Sequence, residues 1–184
     1  DRDTSTNDTL CVMASGLAGN APIVQQDASY RAFCRALNAV TTAMCRMLAA
    51  DGEGATKLIE CRVEGARSLT QARLCAKAVV NSNLVKAAMF GADANWGRVL
   101  CALGYSGAGI DPDAVGVVFR SASGAVEVCV NGRGVPFSEE QAKRVLSESE
   151  VDICVTLGDG RYRATAWGCD LTYDYVKING DYRT

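Results

Sequence analysis

Between Asp27 and Asp51 the apolar residues Tyr30, Phe33, Cys34, Leu37, Val40, Met44, Met47 and Leu48 recur at steps of three and four, whereas beyond Gly107 the chain turns to β-branched runs separated by glycines. The first pattern predicts one long amphipathic helix closed at Asp51-Gly52, and the second predicts a sheet. A chain carrying both periods must pack helices against strands. An α+β arrangement, a layered sheet-and-helix sandwich, therefore fits better than a doubly wound sheet.

The remaining elements follow from caps and breakers. Asp3 to Asp8 offers N-caps for a short first helix through Leu10, Val12 and Met13, stopped by Gly16. Lys57 to Val63 alternates as a half-buried strand, and Ser68 caps a helix through Ala72, Cys75, Ala76, Val79 and Val80. Leu84 to Phe90 is a short apolar segment broken by Gly91, and Trp96 to Leu103 a further helix ended by Gly104. Val115 to Phe119, Ala125 to Val130 and Val151 to Leu157 read as strands, with Glu139 to Ser147 a helix capped by Ser138. Arg161 to Trp167 and Leu171 to Ile178 read as two final strands, and Gly158-Asp159-Gly160 as a hairpin turn joining the Val151 and Arg161 runs. The Tyr105 to Asp113 stretch is the expected boundary between a helix-rich part, 1–107, and a strand-rich part, 108–184, of one compact unit.

Composition removes several function classes. The formal charge of −2 comes from scattered residues, and no run of Lys or Arg could neutralise a line of phosphates. Nucleic acid is thus not an expected partner. No apolar stretch approaches the roughly 20 residues that span a bilayer, and the polar start is no signal peptide, so no membrane partner is expected and the cytoplasm is the expected location. The nine cysteines include no C-x-x-C pair, and most fall in apolar runs where a free thiol behaves as a small buried hydrophobe. Histidine is absent altogether. Within this chain that excludes Ser-His-Asp, Cys-His and His-metal chemistry, so any nucleophile or base must be a carboxylate, Lys, Thr or Ser, a terminal amine, or a group from another chain. Neither a metal site nor a cofactor is expected.

Four segments carry polar chemistry beyond the needs of folding. In Asp51-Gly52-Glu53-Gly54-Ala55-Thr56-Lys57, glycines flank a carboxylate at a helix-to-strand turn. Glu53 is either a solvated side chain after a helix stop or a group presented to a ligand. Asp93-Ala94-Asn95-Trp96-Gly97-Arg98 gathers an amide, an indole and a guanidinium, which helix capping and core anchoring also explain. Trp167-Gly168-Cys169-Asp170-Leu171 reads as a possible bulge at Gly168. The tail from Ile178 to Thr184 either frays or brings Asn179, the Thr184 hydroxyl and the terminal carboxylate to a polar pocket.

Taken in order, Asp3-Thr4-Ser5-Thr6-Asn7-Asp8, Asp51 to Lys57, Asp93 to Arg98, Ala166 to Leu171 and Tyr175-Val176-Lys177-Ile178-Asn179 resemble the ornithine acetyltransferase (glutamate N-acetyltransferase) family along essentially the whole chain. Arg2, Ala87 and Gly180 depart from the family's usual residues at those positions.

The resemblance implies the C-terminal (β) subunit of an enzyme of arginine biosynthesis whose precursor cuts itself at an Ala-Thr bond. The new N-terminal Thr is the nucleophile and its own α-amine the base, a chemistry compatible with the absence of His. The acetyl group passes from N2-acetyl-L-ornithine to Thr and then to L-glutamate, while use of acetyl-CoA as a second donor stays open, having no motif in this chain. The nucleophile is expected upstream of Asp1, so this chain holds no catalytic residue, and on its own it is expected to be inactive. By position in the motifs Glu53, Asn179 and Thr184 correspond to substrate-binding residues, Glu53 and the terminal carboxylate meeting the amine of ornithine and Asn179 orienting the amino-acid head. The implied fold is related in outline to N-terminal-nucleophile hydrolases, and the implied partner is an α subunit from the same precursor in an (αβ)2 heterotetramer. The competing readings are an inactive ligand-binding or scaffold domain and a related aminopeptidase or amidohydrolase.

Overall fold

Alternation along β1 (Leu58–Ala66) sets the two faces of the fold. Its residues Ile59, Cys61 and Val63 are fully buried, while of the residues alternating with them Arg62 and Glu64 are exposed and Glu60 is covered. A computed structural model describes residues 6–182 of the chain. Asp3, Thr4 and Ser5, expected as helix caps, and Thr184 lie outside the described residues.

The chain divides into two compact units, 1–44 and 45–184, with the division inside the first helix, α1 (Ala28–Ala50). In the first unit Asp27 accepts the Tyr30 amide at 2.9 Å and opens α1 where the periodicity predicts it. The helix is as expected, but it buries no side chain: Phe33, Leu37 and Val40 are all exposed. The short helix expected through Leu10, Val12 and Met13 is not formed. Those side chains are exposed and the segment is irregular, since so short a helix has too few hydrogen bonds to offset nucleation without a surface to pack on.

The second unit is one mixed six-stranded sheet in the order β4-β3-β2-β5-β1-β6, formed by β2 (Gly116–Ser121), β3 (Gly124–Val130), β4 (Arg133–Gly134), β5 (Glu150–Thr156) and β6 (Tyr162–Cys169) around β1. β1 runs parallel to β5 and every other pair is antiparallel. The sheet takes strands from both sides of the Tyr105–Asp113 stretch. In register across the core face lie Cys61, Ile153 and Phe119, with Val63, Val155 and Val117 one pair along. α2 (Leu69–Asn81) packs on β1 and β6, and α5 (Glu139–Leu146) on β2 and β3; α3 (Asn83–Phe90) and α4 (Trp96–Gly104) adjoin α2. The residues expected to face inward from α2, namely Ala72, Cys75, Ala76, Val79 and Val80, are its buried set, and Ser68 caps it by accepting the Gln71 amide.

Three expectations for the C-terminal half need correction. First, β5 and β6 do not form a hairpin, because β1 lies between them. The turn instead climbs over the end of β1, where Leu157 N–H donates to Glu64 O at 3.0 Å and Gly160 N–H to Gly65 O at 3.1 Å. Gly65 sits at φ +72° against Gly158, an approach that leaves no room for a side chain. Second, Gly168 is no bulge: pairing continues unbroken through Gly168 with Ile59 and Cys169 with Leu58. Third, Leu171 to Ile178 is not a strand but the start of α6 (Tyr173–Asp181), for which Thr172 is the N-cap.

The thiols also divide by position. Cys61, Cys75 and Cys129 are buried as expected, whereas Cys45 and Cys101 sit on exposed helix faces; all nine are free. Burial pushes the Cys61, Cys75 and Cys129 thiols up from the ordinary value, so they stay protonated and inert at neutral pH.

Candidate functional site

Asp170, the residue that follows β6, is only 3% exposed. A buried carboxylate must be fully hydrogen-bonded, and Asp170 finds its partners in the loop between α1 and β1. It accepts the Thr56 amide at 2.8 Å, the Lys57 amide at 3.0 Å and the Thr56 hydroxyl. Two residues on, the Thr172 hydroxyl donates to Gly54 O at 2.7 Å and accepts the Tyr175 amide at 3.2 Å, so one side chain ties down the loop and caps α6. Gly54, at φ +64°, lies so close to the start of α6 that a Cβ there would come within 2.8 Å of the Tyr175 nitrogen. Glycine at this point is what allows the loop to dock.

Docking carries Glu53 to α6. The exposed Glu53 carboxylate accepts a hydrogen bond from Asn179 Nδ2 at 2.8 Å, between residues 126 positions apart in sequence. Asn179 donates its other amide hydrogen to Tyr175 O at 2.9 Å, one turn back along α6. Both of its donors are thereby used, and it offers incoming groups only its carbonyl oxygen. Together the pair presents acceptors and a negative charge, a surface suited to an ammonium group and not to a carboxylate.

Lys57 closes the other end of the loop. Its ammonium donates to Met89 O and Leu146 O, both at 2.6 Å, near the C-terminal ends of α3 and α5, where helix dipoles favour a cation. Burial lowers its proton affinity from the ordinary lysine value, and the Asp170 carboxylate opposes that effect.

Of the three residues singled out from the sequence, Glu53 and Asn179 meet directly, and Thr184 lies outside the described residues. The Asp93–Arg98 block has a wholly local explanation: Asn95 caps α4 by accepting the Arg98 amide at 3.1 Å, Trp96 lies against Gly134, and Arg98 donates to Leu84 O at 2.9 Å. Asp170, Thr172 and Lys57 were not singled out. A Thr followed two residues later by an acidic Asp174 is a helix-start signal, and it was the available clue to Thr172. Among the described residues no helix is long and apolar enough to cross a membrane, and no three Cys, Asp or Glu side chains gather as a metal site.

Comparison with known proteins agrees with this architecture. A crystal structure of arginine biosynthesis bifunctional protein ArgJ from Bacillus halodurans superposes with a TM-score of 0.90 at 44% identity, covering 99% of this chain and 84% of the solved one. The arginine biosynthesis bifunctional protein ArgJ of Symbiobacterium thermophilum is 58% identical over all 184 residues, and the glutamate N-acetyltransferase of Methanopyrus kandleri 48%. The chain spans less than half the length of these two curated relatives, 45% and 47%. The family model described as the ArgJ family matches residues 1–184, and with relatives aligned over every residue the chain belongs to the ArgJ family.

Proposed function

We propose that this chain is the β-subunit part of a glutamate N-acetyltransferase that moves the acetyl group of N2-acetyl-L-ornithine to L-glutamate through an acetyl-threonine intermediate. The observation that carries the reading is the Glu53–Asn179 contact, which unites two residues the family resemblance assigns to substrate binding and leaves only acceptors free. N2-acetylornithine has one cationic group, its side-chain ammonium, and that group suits this surface. Glu53 accepts its charge, and the Asn179 carbonyl accepts a second N–H. Asn179 thus orients the substrate by accepting from the amine, not by donating to a carboxylate.

In this reading the threonine nucleophile and the oxyanion donors come from polypeptide outside this chain, namely the preceding β residues and an α subunit, in a cytoplasmic (αβ)2 assembly of N-terminal-nucleophile-hydrolase-like fold. Relative lengths support separate subunits: the solved Bacillus halodurans chain is only slightly longer than this one, although the curated ArgJ proteins are more than twice as long. By resemblance Thr184 is a further substrate-binding residue. The transfer conserves the acyl bond, forming an ester on Thr as the amide to ornithine breaks and an amide to glutamate as that ester breaks, with no cofactor.

Steady-state kinetics of Glu53→Gln in the complete enzyme test the assignment. Losing a hydrogen bond to a charged group costs about 1.5–3 kcal/mol, so KM for N2-acetylornithine should rise roughly 10- to 100-fold. Unchanged KM and kcat would remove Glu53 from the site.

A further inference from the structure

The geometry points to Thr172 and Asp170 as positioning residues for the reaction, which hold the Glu53 carboxylate where the substrate's ammonium must meet it; this rests on the role proposed above for Glu53. Neither hydrogen-bonds Glu53 or Asn179 directly. Glu53 itself is exposed, and among the described residues its side chain is held by Asn179 alone. Its loop therefore depends on main-chain ties for its place, and those ties converge on one short connection between β6 and α6. Asp170 grips the loop after Glu53 through Thr56 and Lys57, and Thr172 grips it at Gly54, the residue next to Glu53.

The same connection sets the second arm of the pocket. By accepting the Tyr175 amide, Thr172 fixes the first turn of α6, and one turn later Tyr175 O receives the Asn179 amide. A single hydroxyl thus references both Glu53 and Asn179 to one point. This is the arrangement expected where a carboxylate must be held to within a fraction of an ångström although it lies on a surface loop. Asp170 supplies rigidity of another kind, because its buried charge is neutralised by loop donors and would be stranded if the loop lifted.

The test is a double-mutant cycle in the complete enzyme, with Thr172→Val, Glu53→Gln and the pair. Thr172→Val keeps the shape and removes both hydrogen bonds. KM for N2-acetylornithine should rise about tenfold or more. Acetyl transfer from the acetyl-enzyme to glutamate, followed separately, should keep its rate. Thr172→Ser restores the hydroxyl and should restore KM. On the Glu53→Gln background Thr172→Val should add much less than it does alone, since only the share of its effect that runs through Asn179 remains. A full additional rise on that background, or no rise on the wild-type background, overturns the positioning role while leaving the Glu53 reading in place. No effect of Glu53→Gln itself instead overturns that reading. Thr56→Val, which cuts only the hydroxyl tie to Asp170, reads the same cycle if Thr172→Val does not fold.

Discussion

Two carboxylates among the described residues are nearly inaccessible, Glu60 on the face of the sheet opposite the core and Asp170 just after β6, and they are neutralised in opposite ways. Glu60 is held by side chains: Arg46, Arg62 Nε at 2.8 Å and the Trp167 indole at 2.9 Å, with Arg62 passing on to Asp152 at 3.1 Å and Arg46 to Glu150 at 3.0 Å. Asp170 is held by two main-chain amides and one hydroxyl of a single loop. Long guanidinium groups on half-exposed stems can swing to new partners or to water. Amides cannot move without their backbone. The Glu60 cluster therefore binds neighbouring strands with some tolerance, whereas Asp170 fixes the path of the chain at the candidate pocket.

Removing each carboxylate should expose this difference. Asp170→Ala strands two amides and a hydroxyl and should cost about 2–4 kcal/mol, more than Glu60→Ala at about 1–3 kcal/mol, whose arginines retain Asp152 and Glu150 and reach solvent. Urea unfolding checks the order, with the midpoint moving and the slope held. Salt sharpens the contrast. Near 1 M, where screening acts over about 3 Å, the gap between wild type and Glu60→Ala should narrow, because Arg46 and Arg62 are 36% and 48% exposed. The Asp170→Ala gap should hold, as short buried hydrogen bonds are little screened. Equal salt sensitivity in the two variants would break the comparison.

What could be read in advance follows the same division between local and distant causes. Ser68 and Ser138 cap helices as the sequence predicts, and the inward residues of α2 are the predicted ones, because a cap and its periodic face lie within a few residues of each other. Thr172 was missed through a local conflict. Tyr173, Tyr175, Val176 and Ile178 favour a strand, and the Thr cap with Asp174 in the first turn won once the loop at Gly54 supplied a second hydrogen bond to the same hydroxyl. The false hairpin had a different origin. Nothing in Val151 to Trp167 signals that β1, some ninety residues earlier, slots between the two strands in parallel with one of them. For the candidate pocket, spacing left Glu53 open between solvent and ligand, and only the family resemblance linked it to Asn179. Asp170 lies inside a block whose sequence reads as a bulge at Gly168, since a carboxylate that binds backbone amides 113 and 114 residues away leaves no local pattern.

The smallest expected effects are in the pH dependence, where the two regions should carry opposite slopes. Lys57 has a folded-state affinity for protons lowered by burial, despite the opposing pull of Asp170. Between that lowered value and the ordinary lysine value the unfolded chain holds more protons at this site, so the contribution of Lys57 to stability should rise with pH, against the fall that the raised Cys61, Cys75 and Cys129 thiols contribute above the ordinary thiol value. Asp152, in the Glu60 cluster, is shifted up by burial, with Glu60 adding to the shift and Arg62, Arg46 and Arg120 resisting it. From the ordinary aspartate value up to its raised one the folded chain holds more protons, so stability should fall as pH rises. Urea midpoints across pH, taken as differences from wild type, separate the two: Asp152→Asn should flatten the acid-side fall and leave the alkaline slope as it is, and Lys57→Met should leave the acid-side fall and make the alkaline slope more negative. Lys57→Met should also lower stability at neutral pH, because Met89 O and Leu146 O lose a charged donor, so the slope and not the midpoint at one pH is the discriminating readout. An alkaline slope that Lys57→Met leaves unchanged would remove Lys57 from the pH dependence and leave the ammonium at the two helix ends as a purely geometric tie.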